Sequence, residues 1–334
     1  RAFAPPIPGL AEAGYLTNET VFGLTERPAR LAIIGGGPIG CEMAQAFRRL
    51  GSDVVLFHNR EHILNREDAD AAAIVQRQFL REHICLLLNT RIVRVSMQNG
   101  NAVLHFDRPQ GSGDVAVDAI LVAAGRTPNI ESLNLEAIGV QYDQRTGIVV
   151  NDHLQTTNPA IYAAGDVCMK HQFTHAADAA ARIVIRNTLF LGHDRLSNLV
   201  MPWCTYTEPE IAHVGLYAHE AEQQGMQVET IKVDFEHVDR AITDGDEEGF
   251  VKMHIKKGSD QIVGATIVAR NAGDMISEVT LAIVGNLGLK TLATVIHPYP
   301  TQAEAIRKVA DAYNRTRLTP TVKTVFHQWL AWNR

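Results

Sequence analysis

The residues whose types and spacing point most directly to chemistry are Gly35-Gly36-Gly37-Pro38-Ile39-Gly40. They follow an apolar run at 31–34 and precede good helix formers at 38–50 that stop before Gly51, so they read as the turn between a strand and a helix. Each glycine then has a steric reason: Gly35 for the tight turn, Gly37 for the approach of a phosphate to the backbone, Gly40 for close packing of helix on strand. Pro38 suits the first helical turn, and the unpaired amides of that turn, at Ile39 and Gly40, offer the positive end of the helix dipole to a pyrophosphate. A second strand at 54–57 follows in step, which favours a dinucleotide site over a mere glycine-rich turn.

NAD sites usually carry an acidic residue about 20 positions beyond such a loop, where it accepts a ribose hydroxyl. Here the second strand ends in His58-Asn59-Arg60-Glu61-His62. Arg60 with its flanking histidines suits a 2'-phosphate and hence NADP. The alternative is a solvated Arg60 with Glu61 on the ribose, which means NAD.

The elements that must position these residues follow from periodicity. Residues 1–27, with Pro5, Pro6, Pro8 and Gly9, read as an extended connector. An Ala-rich helix is expected at 68–83 and strands at 85–88, 91–97, 102–106 and 117–123, with Asn99-Gly100 as a hairpin turn. A strand at 161–163 and a helix at 175–191, ended by Gly192, come next. Beyond 200 the pattern changes: Val251, Met253 and Ile255 alternate with Lys252, His254 and Lys256 as in a half-exposed strand, and a hairpin leads to a strand at 262–268. Helical spacing of Ile276, Val279 and Ile283, then of Ile306, Val309 and Tyr313, completes an α+β unit.

Composition limits the function classes. The 334 residues exceed what one core usually organises, and 46% hydrophobic with 20% charged residues is a globular balance. A net charge of -6 without a basic stripe argues against nucleic acid, and the longest apolar runs are too short to span a bilayer. A cytoplasmic location is expected. Cys41, Cys85, Cys168 and Cys204 form no C-x-x-C motif and read as small structural hydrophobes, while the histidines lack metal-ligand spacing, so no metal is assigned.

Gly35 to Gly40 with Glu42, then Ala123-Ala124-Gly125-Arg126-Thr127-Pro128-Asn129, then Ile161-Tyr162-Ala163-Ala164-Gly165-Asp166-Val167 resemble the class I pyridine nucleotide-disulfide oxidoreductases, and the similarity runs on through 206–216 into the final helix. The family includes glutathione reductase, dihydrolipoamide dehydrogenase and mercuric reductase. The resemblance implies FAD as well as NADP or NAD, a homodimer, and a small-molecule or metal-ion electron acceptor. It implies an α/β fold, with Rossmann-type nucleotide-binding domains plus an α+β dimerisation domain: connector at 1–27, NAD(P) domain at 28–127, returning part of the FAD domain at 128–198, dimerisation domain at 199–334. By position, Gly125 and Arg126 belong to the cofactor site, Gly165 and Asp166 meet the flavin ribitol and pyrophosphate, and Thr174, His175 and Ala176 bring a helix N-terminus to the isoalloxazine O2. Without the family, Asp166 is an ordinary turn residue. The family's FAD fingerprint and C-x-x-x-x-C pair precede the matched residues, so the chain is expected to be part of a longer enzyme.

At His297-Pro298-Tyr299-Pro300-Thr301-Gln302-Ala303-Glu304, the resemblance puts Tyr299 and Glu304 at the acid-base dyad, with tyrosine where disulfide reductases have histidine. Such a tyrosine is similar to that of mercuric reductase, although the chain's last residues, Phe326 to Arg334, lack that enzyme's C-terminal cysteine pair. From residues alone, Thr301 with Glu304 is a capping box. The alternatives are a dihydrolipoamide dehydrogenase or glutathione reductase-like enzyme, or a non-catalytic nucleotide-binding dimer.

Overall fold

A computed structural model describes residues 1–333. The chain divides into two units, Arg1–Arg66 with Phe79–Met201, and Glu67–Gln78 with Pro202–Arg334.

The first unit holds a four-stranded parallel sheet in the order Cys85–Leu87, Asp53–Phe57, Arg30–Ile34, Ala119–Val122. Leu31, Ala32 and Ile33 are wholly buried, as an apolar run in a central parallel strand should be. The helix Pro38–Arg49 buries Cys41 and Ala44, and Leu50 and Gly51 end it, the glycine at φ 99°. An antiparallel meander of Arg91–Gln98, Asn101–Arg108 and Gly111–Val117 follows. Its first turn is the expected one, with Asn99 and Gly100 both at positive φ. Phe57 and Phe106 meet edge to face at 5.4 Å in the shared core.

Three expectations change here. Residues 1–27 are more than connector: Leu10 opens a short helix, Leu10–Ala13, and is buried in that core, while Leu16 bridges to Leu121. Cys85 is exposed rather than buried, because its strand lies at the edge of the sheet. Residues 161–163 form no strand among the described residues, since Tyr162 makes only one bridge, to Gln155. The helix after them runs Thr174–Leu189, short of Gly192, and buries Ala176, Ala180 and Ile183 against Leu154 and Met169.

In the second unit a five-stranded antiparallel sheet has the order Pro202–Thr205, Glu210–Gly215, Ile262–Ala269, Phe250–Lys256, Val228–Asp234. The helices Ala272–Val284 and Glu304–Thr316 bury Ile276 and Val279, and Ile306, Val309 and Tyr313, respectively. Phe250–Lys256 is not half-exposed: only Lys256 faces solvent, while Lys252 and His254 are 7% and 2% exposed. Burial of the ammonium is tolerated because Asp68 and Asp70 lie 2.5 and 2.7 Å from Lys252 Nζ, and Thr230 bonds His254 Nδ1 at 2.8 Å. A last helix, Pro320–Trp332, went unread in the sequence although Thr319-Pro320 is its start signal; the Thr319 hydroxyl accepts from the Val322 amide.

Candidate active site

The glycine turn is built by exclusion. A Cβ on Gly40 would stand 1.8 Å from the Gly35 carbonyl oxygen, and one on Gly35, at φ 118°, would stand 2.4 Å from the Ala123 carbonyl oxygen. At Gly37 the same atom meets nothing within 4 Å. Gly37 is the N-cap and Pro38 the first helical residue, so the amides of Ile39 and Gly40, in the first turn, have no intrahelical acceptor. The arrangement closes the strand and helix onto each other and leaves the Gly37 side of the turn open. Glu42 lies half-buried further along the helix.

The residues expected at the ribose are divided by the fold. Asn59 and Arg60 are exposed, and Glu61 with them. His58 is buried instead, its Nδ1 accepting from the Gly36 amide at 3.1 Å. Burial lowers its pKa, against an opposing effect of Asn65, so the ring is neutral at neutral pH and unsuited to holding a phosphate.

Elsewhere in the first unit the fold gathers Arg126, Gly165, Asp166 and the start of the helix Thr174–Leu189. Arg126 donates to the Asp166 carboxylate at 2.8 Å and to the Gln172 carbonyl at 3.1 Å. Gly165 is buried at φ 80°, and its α-carbon lies against Ala177, where a Cβ would come within 3.0 Å of the Ala177 Cβ. Gly125, at φ 127°, is exposed beside Arg126. Phe173 caps the helix with no side-chain hydrogen bond; Thr174 and His175 are exposed in the first turn and Ala176 is buried. A helix of this length with no side-chain cap presents positive potential to an electron-rich group.

In the second unit Tyr299 is 71% exposed, and its hydroxyl donates to Asp239 at 2.9 Å, a bond that raises the phenol pKa. Glu304 is buried and accepts from Arg307 at 3.1 Å. No hydrogen bond joins Tyr299 to Glu304 among the described residues. The capping box is also absent: Thr301 donates its hydroxyl to the Pro298 carbonyl, and the helix begins at Glu304 with Ala303 as its N-cap. The 301–304 spacing matches the motif, but the chain uses the threonine to close the turn before the helix. His297 is half-buried with its side chain turned inward, Nε2 lying 3.0 and 3.1 Å from the two Glu278 oxygens. Asp239 and Glu278 were missed by sequence reasoning, being 60 and 19 positions from their partners.

Also missed was a polar cluster around Glu67, which accepts from Tyr217 at 2.5 Å and Trp203 at 2.9 Å. His213 stacks on Tyr217 at 3.7 Å. Burial raises the pKa of Glu67 and of Tyr217, and pushes His213 down to about 3. Burial likewise raises the thiols of Cys41 and Cys168, the latter to about 11, so neither is a ready thiolate.

A parallel sheet carrying a glycine turn between strand and helix, and an antiparallel sheet packed with helices, define a protein of α/β and α+β units. A family model described as pyridine nucleotide-disulphide oxidoreductase matches residues 1–181, and that family's dimerisation domain matches 201–310. The chain belongs to the pyridine nucleotide-disulphide oxidoreductase family. It is 34% identical to a mercuric reductase of Staphylococcus aureus over 93% of its own length and 57% of that protein, and 35% identical to one of Streptomyces lividans over 93% and 65%. The chain thus spans somewhat over half the length of these curated relatives. Among solved structures it is similar to the HOCl-induced flavoprotein disulfide reductase RclA from Escherichia coli, with a TM-score of 0.86 and 27% identity over 93% of this chain and 71% of that one. LpdA from Mycobacterium tuberculosis gives 0.85 and 26% over 93% and 68%. No helix among the described residues is long and apolar enough to cross a membrane.

Proposed function

We propose that this chain supplies the NAD(P) site, the isoalloxazine-facing part of the FAD site and the dimer-forming part of a mercuric reductase-like enzyme. That enzyme takes reducing equivalents from NAD(P)H and passes them, through a cysteine pair, to a small disulfide or a metal ion. The observation that carries the reading is the open space at Gly37, between glycines whose Cβ positions are filled by backbone. It leaves one place where a pyrophosphate reaches the first-turn amides.

The residues present fit both cofactors. Ile39 and Gly40 amides would hold the dinucleotide pyrophosphate, and exposed Arg60 would meet a 2'-phosphate, which favours NADP(H). The Asp166 carboxylate, a hydroxyl acceptor now bonded to Arg126, suits the ribitol of FAD. The N-terminus of Thr174–Leu189 would stabilise negative charge on the ring O2. Bound there, the flavin supplies the two-electron relay between nicotinamide and thiols. Tyr299, exposed and oriented by Asp239, would work at the acceptor in a homodimer, and His297 is withdrawn into its pair with Glu278. In this reading Cys41, Cys85, Cys168 and Cys204 do not supply the cysteine pair, because they are scattered and form no disulfide.

The test is an anaerobic titration of the purified full-length protein with NADPH, and in parallel with NADH, followed by visible absorption. A long-wavelength thiolate-to-flavin band after two electrons is the expected result. Flavin bleaching without that band would remove the cysteine pair from the reading, and a protein without flavin would favour a non-catalytic nucleotide-binding dimer.

A further inference from the structure

The Gly36 peptide is held on both sides. Its amide donates to His58 Nδ1 at 3.1 Å, and its carbonyl accepts from the Leu64 amide at 2.7 Å. The imidazole also fills the volume a side chain at 36 would need, with ring carbon Cγ 2.8 Å from that Cβ position. His58 is itself fixed, since its amide donates to the Leu87 carbonyl and its carbonyl accepts from the Thr90 amide, both at 2.9 Å. A backbone amide only donates, so Nδ1 carries no proton and the ring proton is assigned to Nε2.

We infer that His58 is a positioning residue of the dinucleotide site: as a neutral acceptor it holds the Gly36 peptide, and with it the turn at 35–40, in the shape that presents the first-turn amides to a pyrophosphate. This rests on the glycine turn being a dinucleotide site. It assigns His58 a role different from contact with the ribose phosphate, and it predicts a dependence on pH. A proton on Nδ1 would place two donors face to face at Gly36. Burial opposes that proton, Asn65 favours it, and the charges of His62 and Arg60 oppose it. His62 and Arg60 are the charged or titratable groups facing the ring; residues 35–40 and 87–90 contribute none. The neutral ring therefore prevails at and above neutral pH, and nucleotide binding weakens as pH falls through the lowered pKa of His58.

The experiment is calorimetric titration of the purified protein with NADP+, and separately with NAD+, between about pH 5 and 8. Wild type is compared with His58→Asn, whose amide oxygen takes the place of Nδ1 but does not titrate, and with His58→Leu, which has no acceptor. The 2'-phosphate of NADP+ titrates near pH 6 in every arm, so the comparison between proteins isolates the histidine. The expected result is an acid loss of affinity in wild type that is absent from His58→Asn, and roughly tenfold weaker binding by His58→Leu at pH 8. The same acid loss in His58→Asn, or wild-type affinity of His58→Leu at pH 8, would overturn the inference. Should His58→Leu fail to fold, the comparison with His58→Asn decides alone. If wild type binds neither nucleotide at pH 8, the dinucleotide reading itself falls, and the inference with it.

Discussion

Gly37→Ala and Gly40→Ala make the same chemical change three residues apart and should have opposite consequences. At Gly37 the new methyl meets no protein atom within 4 Å, and φ -82°, ψ -175° is ordinary extended backbone for any residue. The poorer N-cap and the stiffer unfolded chain offset each other to within about 0.5 kcal/mol, so the unfolding midpoint stays within a few degrees of wild type. The methyl does occupy the approach to the Ile39 and Gly40 amides. Losing two charge-assisted bonds of about 1.5–3 kcal/mol each weakens NADP+ binding by roughly two to four orders of magnitude. At Gly40 the methyl would lie 1.8 Å from the Gly35 carbonyl oxygen, well inside the 3.0 Å that real Cβ contacts respect. Helix and strand must separate, and overpacking of this kind costs about 1–3 kcal/mol. Calorimetry with NADP+ and thermal unfolding by circular dichroism measure both sides. A Gly37→Ala protein that keeps its melting temperature and binds NADP+ within about threefold of wild type would refute the assignment of the open space to a pyrophosphate.

Other outcomes follow from the second unit and from the acceptor chemistry. Tyr299→Phe removes the hydroxyl that donates to Asp239, and in the full-length enzyme it should slow turnover of the acceptor while stopped-flow reduction of the flavin by NAD(P)H is unchanged; equal turnover would take Tyr299 out of the reaction. Lys252→Met strands Asp68 and Asp70 without their cation, and since Asp70 is nearly half exposed the loss is about 1–3 kcal/mol rather than that of a fully buried pair, read from urea midpoints. Glu67 has its pKa raised by burial, so the unfolded chain ionises first. Stability falls as pH rises from the ordinary carboxyl range through the raised value, and the wild-type minus Glu67→Gln difference in midpoints should carry that slope; a flat difference would sink the assignment.

The sequence by itself determined what local physics determines. The glycine spacing at 35, 37 and 40, the apolar run before it and the helix formers after it admit few backbones other than a strand, a tight turn and a helix, and the Cβ positions at Gly35 and Gly40 show why. Asn99-Gly100 similarly sets its own hairpin. The gathering of Arg126, Gly165, Asp166 and Thr174 was legible only through resemblance, because 40 positions separate Arg126 from Asp166 and no local pattern joins them. Tertiary structure decided the rest. His58 and Arg60 are near neighbours of similar charge potential in the sequence, yet one is a buried neutral acceptor and the other an exposed cation. The alternation at 251–256 signals a half-exposed strand, but carboxylates from 68 and 70 make burial of Lys252 tolerable, and a periodicity cannot report a partner 182 positions away. Thr301 fits a capping motif and instead closes a turn onto Pro298. In each case the residue type fixes what bonds a side chain can make, and only the folded chain fixes which partner comes within about 3 Å to make them.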